Sequence, residues 1–411
     1  MKQLRKKVYV AAGYNTTYFG PGRRDFDPSK PMTSYETYLT ETAEGTAKQV
    51  PNPDFDEGII GSFMSARFLN QANLPGFLPF MIPQLQGKAC TGIEGACGTG
   101  GRSIAMAVRS ILSDLADVVF VSAFEVQNTM KSVYGADVLA GAAYYHEERK
   151  KGHSFFFPGI FADRAGAYFK KYGEELARKG MAKWYEQAIL NARKNPKAQE
   201  YHNTSPDLFA LGMTKPDPRT FLPYLNLYDC SKISDGASSL VILSEEGLRK
   251  SGIKPEDAIE IVSLGEAEDN ITTPPKESTA FSTTEIATHK ALEAASLTKN
   301  DLGLLELHDC FSIGALMALE ALGFAEKGKA GQYIFEGNTS IEGNIPTNLS
   351  GGLCGFGHPT GASGVRQMVD LLHQFTHKSA NQSDPKKQHG MMISMGGNDK
   401  TVTSIIVRPV K

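Results

Sequence analysis

The sequence predicts an α/β protein made of two similar halves with a helical and loop insertion between them. Near both ends of the chain, apolar strand-like runs alternate with helical runs rich in small residues, a texture typical of a mostly parallel sheet with covered faces. Residues 126–228 instead carry aromatic runs, charged helical stretches and several prolines. Because 411 residues exceed what one hydrophobic core organises, two or three packed units are expected.

The amino-terminal half is predicted to occupy residues 1–125. Apolar runs at 8–12 and 118–123 predict strands, and residues 98–115, rich in Ala, Ile and Met, predict a helix between them. A glycine-rich turn that contains Cys97 precedes this helix.

The carboxyl-terminal half is predicted to occupy residues 229–411. A second glycine-rich turn, at 355–359, precedes a late helix, and Pro359 suits the first helical position. Since a glycine-rich turn, a helix and a strand follow one another in both halves, the layout predicts an internal repeat that puts Cys97 and His358 at equivalent positions near a pseudo-twofold axis. Strands are predicted at 240–243, 259–264 and 391–395, and helices at 282–295 and 312–322.

The composition argues against several classes of partner and location. With 43 basic and 45 acidic residues, the chain has no basic excess for nucleic acid. No apolar run reaches the ~18 residues of a membrane span, and the basic first residues lack the apolar core of a signal peptide. The five cysteines form no CxxC pair, so we expect a reducing compartment, the cytoplasm or an organelle matrix, rather than secretion.

Cys97 is the first candidate for chemistry, in the context Gly-Ala-Cys-Gly-Thr-Gly-Gly. A thiol at a helix N-terminus lies beside unpaired N–H groups and the positive end of the helix dipole. Both would stabilise the thiolate and lower the pKa of the thiol, which makes it a nucleophile. The alternative is a small side chain packed under a glycine-rich helix.

His308, Asp309 and Cys310 follow one another on a predicted strand-to-helix loop, after the apolar run 302–305. Loops at the carboxyl ends of parallel strands are where the sites of α/β proteins collect. The alternative is that Asp309 caps the following helix and that its neighbours are incidental.

A glycine-rich segment at 348–364 places His358 at the entrance of the predicted late helix. A phosphate-binding loop is disfavoured because the Gly-Lys-Ser/Thr ending is missing. A zinc site formed by His308, Cys310, Cys354 and His358 is an alternative by ligand type, although the chain has no CxxC clasp. The late strand at 391–395 runs into two glycines, and such an end either directs N–H groups at an oxyanion or forms an ordinary turn.

In this order, these segments resemble the thiolase superfamily. Its pattern is a nucleophilic Cys that opens a buried helix, an Asn-Glu-Ala-Phe-type loop, a Gly-His-Pro loop and a late Cys-x-Gly turn. The resemblance covers nearly the whole chain and implies the thiolase fold, two α/β halves that form a five-layered αβαβα body. The matching segments are Cys97, residues 308–311, 357–359 and 394–396, and residues 229–237 resemble the start of the family's second half.

One departure from the family pattern narrows the resemblance. Ser394 stands where most thiolases carry an acid/base Cys, and a thiol is found instead at Cys310. A His-Asp-Cys-Phe loop is typical of the sterol-carrier-protein type of thiolase, where this loop supplies the acid/base thiol.

The resemblance implies an acetyl-CoA C-acyltransferase or acetyltransferase of fatty-acid and lipid metabolism. Cys97 would be the nucleophile, His358 would take its proton, and Cys310 would be the acid/base. His308 and His358 would serve the enolate oxygen, and the backbone N–H groups of Cys97 and Gly396 would serve the tetrahedral oxyanion.

The same resemblance implies that acyl-CoA and CoA are substrates, that no cofactor or metal is permanently bound, and that the protein is a homodimer. The arm of CoA would lie over residues 126–228. Two alternatives remain. One is a retro-aldol lyase that acts on steroid side-chain CoA esters with a small partner protein, which Cys97 argues against. The other is a non-catalytic acyl-CoA or lipid-binding protein on the same scaffold.

Overall fold

A single hydrogen-bonded sheet runs through both halves of the computed structural model, which describes residues 3–219, 221–385 and 387–410. The predicted halves, 1–125 and 229–411, therefore include a few positions outside the described residues. Within the described ranges the strands are β1 (Val8–Asn15), β2 (Glu57–Gly61), β3 (Ala89–Ile93), β4 (Val118–Glu125), β5 (Gly236–Ser244), β6 (Ala258–Glu268), β7 (Leu302–Glu306), β8 (His389–Gly396) and β9 (Thr401–Pro409).

The strand order shows the internal repeat. The sheet runs β3-β2-β4-β5-β1-β6-β9-β8-β7, so β2-β4-β5-β1 on one side mirrors β7-β8-β9-β6 on the other. The first pair in each series is parallel and the next two pairs are antiparallel. β1 and β6 pair antiparallel at the centre, as expected where two similar halves meet around a pseudo-twofold axis.

The helices lie between and outside the two halves of the sheet. Residues 126–228 hold α5 to α9, and their status as a separate domain stays a prediction. The described helices are α1 (Tyr35–Ala47), α2 (Ser65–Phe68), α3 (Leu78–Met81), α4 (Thr99–Leu112), α5 (Ser132–Leu139), α6 (Tyr145–Glu148), α7 (Phe156–Tyr172), α8 (Glu175–Ala192), α9 (Leu208–Gly212), α10 (Glu245–Ser251), α11 (Ser282–Ala295), α12 (Ser312–Ala321), α13 (Ala330–Phe335), α14 (Gly352–Gly355) and α15 (Ser363–Phe375).

Successive residues along each strand face opposite sides of the sheet, and their side chains contribute to three separate layers of core. On β4, Val119 and Val121 face a central core that also contains residues of α4 and α15, while Phe120 faces an outer core with α1. On β8, Met392 faces the same central core and Ile393 faces the opposite outer core with α11 and α12. The order is helix, sheet, helix, sheet, helix, and the predicted fold class is confirmed.

The two central helices, α4 and α15, cross at glycines. A Cβ on Gly100 would lie 2.5 Å from the backbone nitrogen of Val365, and a Cβ on Gly364 would lie 2.4 Å from the nitrogen of Gly101. Larger side chains would push the helices apart. This crossing brings together the chain segments that precede the two helices, which contain Cys97 and His358.

Sequence periodicity located several of these elements, and the helix predicted at 282–295 is α11. The position of Pro359 was predicted wrongly. A turn in which Ala362 donates to the Pro359 carbonyl separates Pro359 from α15, which begins at Ser363. Across the described ranges, no helix has the length and apolarity to cross a membrane.

Candidate active site

Cys97 lies in a tight 3-10 turn, Ala96–Gly98, between the end of β3 and the start of α4. Ala96 has a left-handed backbone (φ +52°), a conformation that is unfavourable for a residue with a Cβ. The Ala96 N–H donates to Glu94 Oε1 at 2.6 Å, which helps to hold this geometry. Part of the Cys97 residue stays accessible to solvent, although its sulfur is largely desolvated by the surrounding segments.

The glycines at the end of β8 lie against this turn. A Cβ on Gly396 would lie 2.3 Å from the Gly95 carbonyl oxygen, and a Cβ on Gly98 would lie 3.0 Å from the Gly396 nitrogen. Because no side chain fits between these backbones, the end of β8 reaches the Cys97 turn directly.

The pKa of Cys97 is raised overall, whereas the sequence predicted that the helix N-terminus would lower it. Burial of the sulfur raises the pKa of Cys97 to about 12, and the nearby Glu125 carboxylate raises it further. The backbone N–H groups of Cys97 and Gly397 act in the opposite direction and are outweighed. Cys97 is therefore a neutral thiol that needs a base to become a nucleophile.

His358 is oriented as such a base. Its Nδ1 lies 2.7 Å from Ser363 Oγ, and the Ser363 hydroxyl donates to the Pro359 carbonyl at 3.1 Å. With the serine proton directed at the Pro359 carbonyl, we assign the proton of the His358–Ser363 contact to Nδ1 and the lone pair to Nε2. Among the described residues, the buried Nε2 has no hydrogen-bond partner. Burial, together with His308 and Arg366, holds the pKa of His358 well below its usual value.

His308 follows β7 and is the complementary donor. The Met395 N–H approaches His308 Nδ1 at 3.4 Å, so this nitrogen is the acceptor and the proton lies on Nε2. Burial, assisted by Arg366, lowers the pKa of His308 to about 3. The side-chain amide of Asn348 holds Leu307, the residue before His308. It accepts from the Leu307 N–H at 2.7 Å and donates to the Leu307 carbonyl at 3.2 Å.

Cys97, His308 and His358 converge. One possible ligand atom from each of the three residues lies within 4.8 Å of the others. The centroids of the two imidazole rings are 5.1 Å apart, and the rings are nearly perpendicular. The donor types would suit zinc. This group differs from the zinc ligands considered from the sequence, which were His308, Cys310, Cys354 and His358. The Cys354 thiol instead donates to the Asp309 carbonyl at 2.9 Å.

Cys310 is buried beside this group. Burial raises the pKa of Cys310 well above its usual value, and the neighbouring Cys97 raises it further. Asp309 does not cap α12, so that interpretation is wrong: its carboxylate accepts from the Leu353 N–H at 2.7 Å and the Trp184 Nε1–H at 3.0 Å. These contacts join the 308–311 loop to α8 of the insertion.

Glu125, at the end of β4, is a buried carboxylate that sequence analysis missed. It accepts hydrogen bonds from the backbone N–H groups of Phe63, Met64 and Gly361 and from the hydroxyls of Ser62 and Thr360. It therefore ties the loop after β2 to the loop that carries His358. An acidic residue at the end of an otherwise apolar strand was the available signal.

Comparisons with known proteins identify chains to which this one is similar. The family described as thiolase C-terminal domain-like matches residues 265–408. The acetyl-CoA acetyltransferase of Methanothermobacter thermautotrophicus is 28% identical over 371 residues, covering 90% of this chain and 93% of that protein. Bovine sterol carrier protein 2 (Bos taurus) is 26% identical over 417 residues, covering 98% of this chain and 72% of that protein.

Solved structures share the fold over the whole chain. The Ltp2-ChsH2(DUF35) aldolase superposes with a TM-score of 0.77 at 19% identity, covering 99% of each chain. Human mitochondrial 3-ketoacyl-CoA thiolase in complex with CoA superposes with a TM-score of 0.71 at 17% identity, again covering 99% of each.

Proposed function

Because the chain belongs to the thiolase superfamily, we propose that it is a thiolase that cleaves or forms 3-oxoacyl-CoA through an acyl-enzyme on Cys97. Its relatives named acetyl-CoA acetyltransferase support an acyltransferase, for which CoA is a substrate rather than a resident cofactor. The observation that carries the proposal is the convergence of the Cys97 thiol with two neutral imidazoles.

Acylation begins with a proton transfer. His358 Nε2 takes the proton of Cys97 as the sulfur attacks the 3-keto carbon of the substrate, and the carbonyl π-electrons move onto oxygen. The backbone N–H groups of Cys97 and Gly396 stabilise this oxyanion, and each such donor is typically worth ~3–4 kcal/mol.

Collapse of the tetrahedral intermediate breaks the bond between carbons 2 and 3. The electron pair leaves with acetyl-CoA as its enolate, whose oxygen accepts from His308 Nε2–H and from the now protonated His358. Cys310 gives its proton to the enolate carbon. Free CoA then attacks the Cys97 thioester: the Cys310 thiolate takes the proton of the CoA thiol, the bond from the acyl carbon to the Cys97 sulfur breaks, and His358 returns its proton to Cys97 as the shortened acyl-CoA leaves. Synthesis runs these steps backward, with Cys310 taking a proton from the methyl group of acetyl-CoA.

The buried site sets two further requirements. Both thiols must stay reduced, so we place the protein in a reducing compartment. The pantetheine arm of CoA must reach Cys97 from outside, and we propose that residues 126–228 cover it.

Mass spectrometry after incubation with acetyl-CoA tests the nucleophile. Wild-type protein should gain one acetyl group on Cys97, and Cys97→Ala should gain none and lose turnover. Cys90→Ala, which removes a half-buried thiol on β3, is the matched control and should behave as wild type. Acetylation at another residue, or none in the wild type, would contradict the proposal.

A retro-aldol lyase that works with a small partner protein is the second candidate. Its support is the aldolase structure, whose TM-score exceeds that of the thiolase. Release of acetyl-CoA from acetoacetyl-CoA plus CoA by the purified chain alone favours the thiolase. A chain that is inactive alone, but cleaves a 3-hydroxyacyl-CoA when a co-purified small protein is present, favours the lyase. Acyl-CoA binding without either reaction favours a binding protein.

We also propose a homodimer that forms through β3. This strand lies at one edge of the sheet, and Ala89 and Gly92 on it are exposed. An exposed edge offers unpaired N–H and C=O groups to a second copy. Light scattering should give twice the chain mass for the wild type, and Thr91→Pro, which removes a backbone donor of β3 and disrupts this strand, should shift the protein toward monomer.

A further inference from the structure

We propose that Arg164, acting through Asn398, is a positioning residue that holds the turn between β8 and β9 against Cys97. The inference rests on the proposed function, because the turn follows the proposed oxyanion donor Gly396. It adds a specific role for α7 of the insertion, which carries Arg164.

Arg164 is almost completely buried (2% exposed) and its guanidinium makes contacts on two sides. Towards the turn, Nε donates to Asn398 Oδ1 at 2.6 Å, and Nη2 approaches the Asn398 carbonyl at 3.4 Å. Away from the turn, Nη1 donates to the carbonyls of Ser278 and Ala280, each at 3.1 Å. The guanidinium therefore links the turn to the segment that leads into α11.

The two residues after Asn398 hold the other side of the same turn. The buried Asp399 carboxylate accepts from the N–H groups of Thr283 and Thr284 at 2.9 Å each, at the N-terminus of α11. Lys400 Nζ donates to the carbonyls of Asn270 and Thr273 at 2.9 and 2.8 Å. Consecutive polar side chains thus fix a hairpin turn that would otherwise be free to move.

The backbone transmits this constraint to the nucleophile. Gly397 is next to Asn398, and the Gly397 N–H group forms a hydrogen bond to the Cys97 sulfur. Gly396 lies against Gly95 and Gly98 so closely that a Cβ would not fit. A shift of the turn therefore changes the distance between these amides and Cys97 directly.

The insertion also reaches the surroundings of the Cys97 turn through the start of α7. Phe157, in the first turn of α7, packs on an apolar cluster that contains Ala96 and Ala142. A Cβ on Gly397 would lie 2.6 Å from the Ala142 carbonyl oxygen. The helix that carries Arg164 thus packs on a cluster that includes Ala96 of the Cys97 turn, so Arg164 can align the insertion with the two amides.

Asn398→Ala is the decisive variant, because Asn398 is only partly buried and its loss should leave the fold intact. Misplacement of a catalytic donor by ~1 Å can cost about 100-fold in rate. We expect acetylation of Cys97 and the kcat of thiolysis to fall ~10- to 100-fold, with the KM for CoA within about twofold and the melting temperature nearly unchanged. Arg164→Lys keeps the positive charge but loses the forked set of guanidinium donors, so we expect acetylation and kcat to fall in this variant too.

Two further variants separate positioning from stability. Asn398→Asp keeps an acceptor for the guanidinium and should recover most of the lost kcat. Asn52→Ala removes a comparable amide, which donates to the Lys250 carbonyl beside α10, and should behave as wild type. Unchanged acetylation in Asn398→Ala would overturn the inference, as would a loss that Asp does not rescue. If the wild type is never acetylated, the proposed function fails and the inference falls with it.

Discussion

The Nδ1 atom of His358 lies 2.7 Å from the hydroxyl oxygen of Ser363, five residues later and on the first turn of α15. Because the Ser363 proton goes to the Pro359 carbonyl, this contact selects the tautomer of His358 that leaves Nε2 unprotonated. A base is produced without an acidic partner: the imidazole is kept neutral by burial and oriented by a helix hydroxyl.

Replacing Ser363 by Ala should slow the acetylation of Cys97 ~10- to 100-fold, since the imidazole loses the contact that selects its tautomer and aim. Quenched-flow mass spectrometry measures the rate. Ser363→Thr keeps the hydroxyl and should restore most of it. Ser113→Ala removes a serine that donates to a backbone carbonyl at the end of α4 and is the control. An equal loss in both alanine variants would contradict the role of Ser363.

Replacing Cys310 by Ala should spare acetylation of Cys97 and abolish carbon–carbon bond cleavage, because the acid/base thiol acts only on the enolate carbon. Exchange of the methyl protons of acetyl-CoA in heavy water, followed by NMR, should be lost in parallel. Cys354→Ala removes a second buried thiol near Cys310 and should retain exchange. Normal thiolysis by Cys310→Ala would assign the proton transfer to another group.

The pH profile of the acetylation rate should show no inflection near pH 6.5. The pKa of His358 lies well below that value and the pKa of Cys97 is raised to about 12, so one neutral thiol–imidazole pair persists from about pH 6.5 to 9. Activity should fall only at lower pH, where His358 becomes protonated. Single-turnover rates across this range test the expectation. An inflection near 6.5, or a thiol that titrates below 8 in alkylation assays, would mean a thiolate–imidazolium pair instead.

Stability should also depend on pH through His308. Its pKa is about 3 in the folded protein against 6.5 for an unperturbed histidine, so the unfolded state binds the extra proton between these values. The contribution of this residue is complete above pH 6.5 and is lost as pH falls, by about 1.4 kcal/mol per pH unit. Denaturant unfolding of His308→Asn should therefore show a flatter pH dependence between pH 6 and 4 than the wild type.

A histidine outside the site provides the control. His146 has a side chain that is 75% exposed, and His146→Asn is the matched control for the exchange of a histidine for asparagine. If His308→Asn also follows the wild-type curve, folding does not lower the pKa of His308, and burial is not what keeps this imidazole neutral.

Particular residues show how far sequence reasoning reached. Cys97, His308, Cys310 and His358 were identified because reactive side chains in glycine-rich turns and strand-end loops are recognisable locally. Ser363, Glu125 and Arg164 were missed. The hydrogen bonds of Glu125 and Arg164 reach residues distant in the chain, and Ser363 is an ordinary serine on a helix whose contact with His358 depends on the path of the loop between them.

The pKa of Cys97 was predicted in the wrong direction for a related reason. The helix N-terminus is visible in the sequence, whereas burial of the sulfur and the presence of Glu125 depend on distant segments. Pro359 was likewise taken for a helix start on local preference, while the loop that holds His358 continues as a turn to Ser363.

By itself, the sequence determined the alternation of strands and helices, the internal repeat and the types of side chain available for chemistry, because these follow from periodicity and from neighbours along the chain. The tertiary structure decided which of those side chains meet, which are neutral and which way each imidazole points. Those properties depend on desolvation and on hydrogen bonds between segments that only the crossing of α4 and α15 at Gly100 and Gly364 brings together.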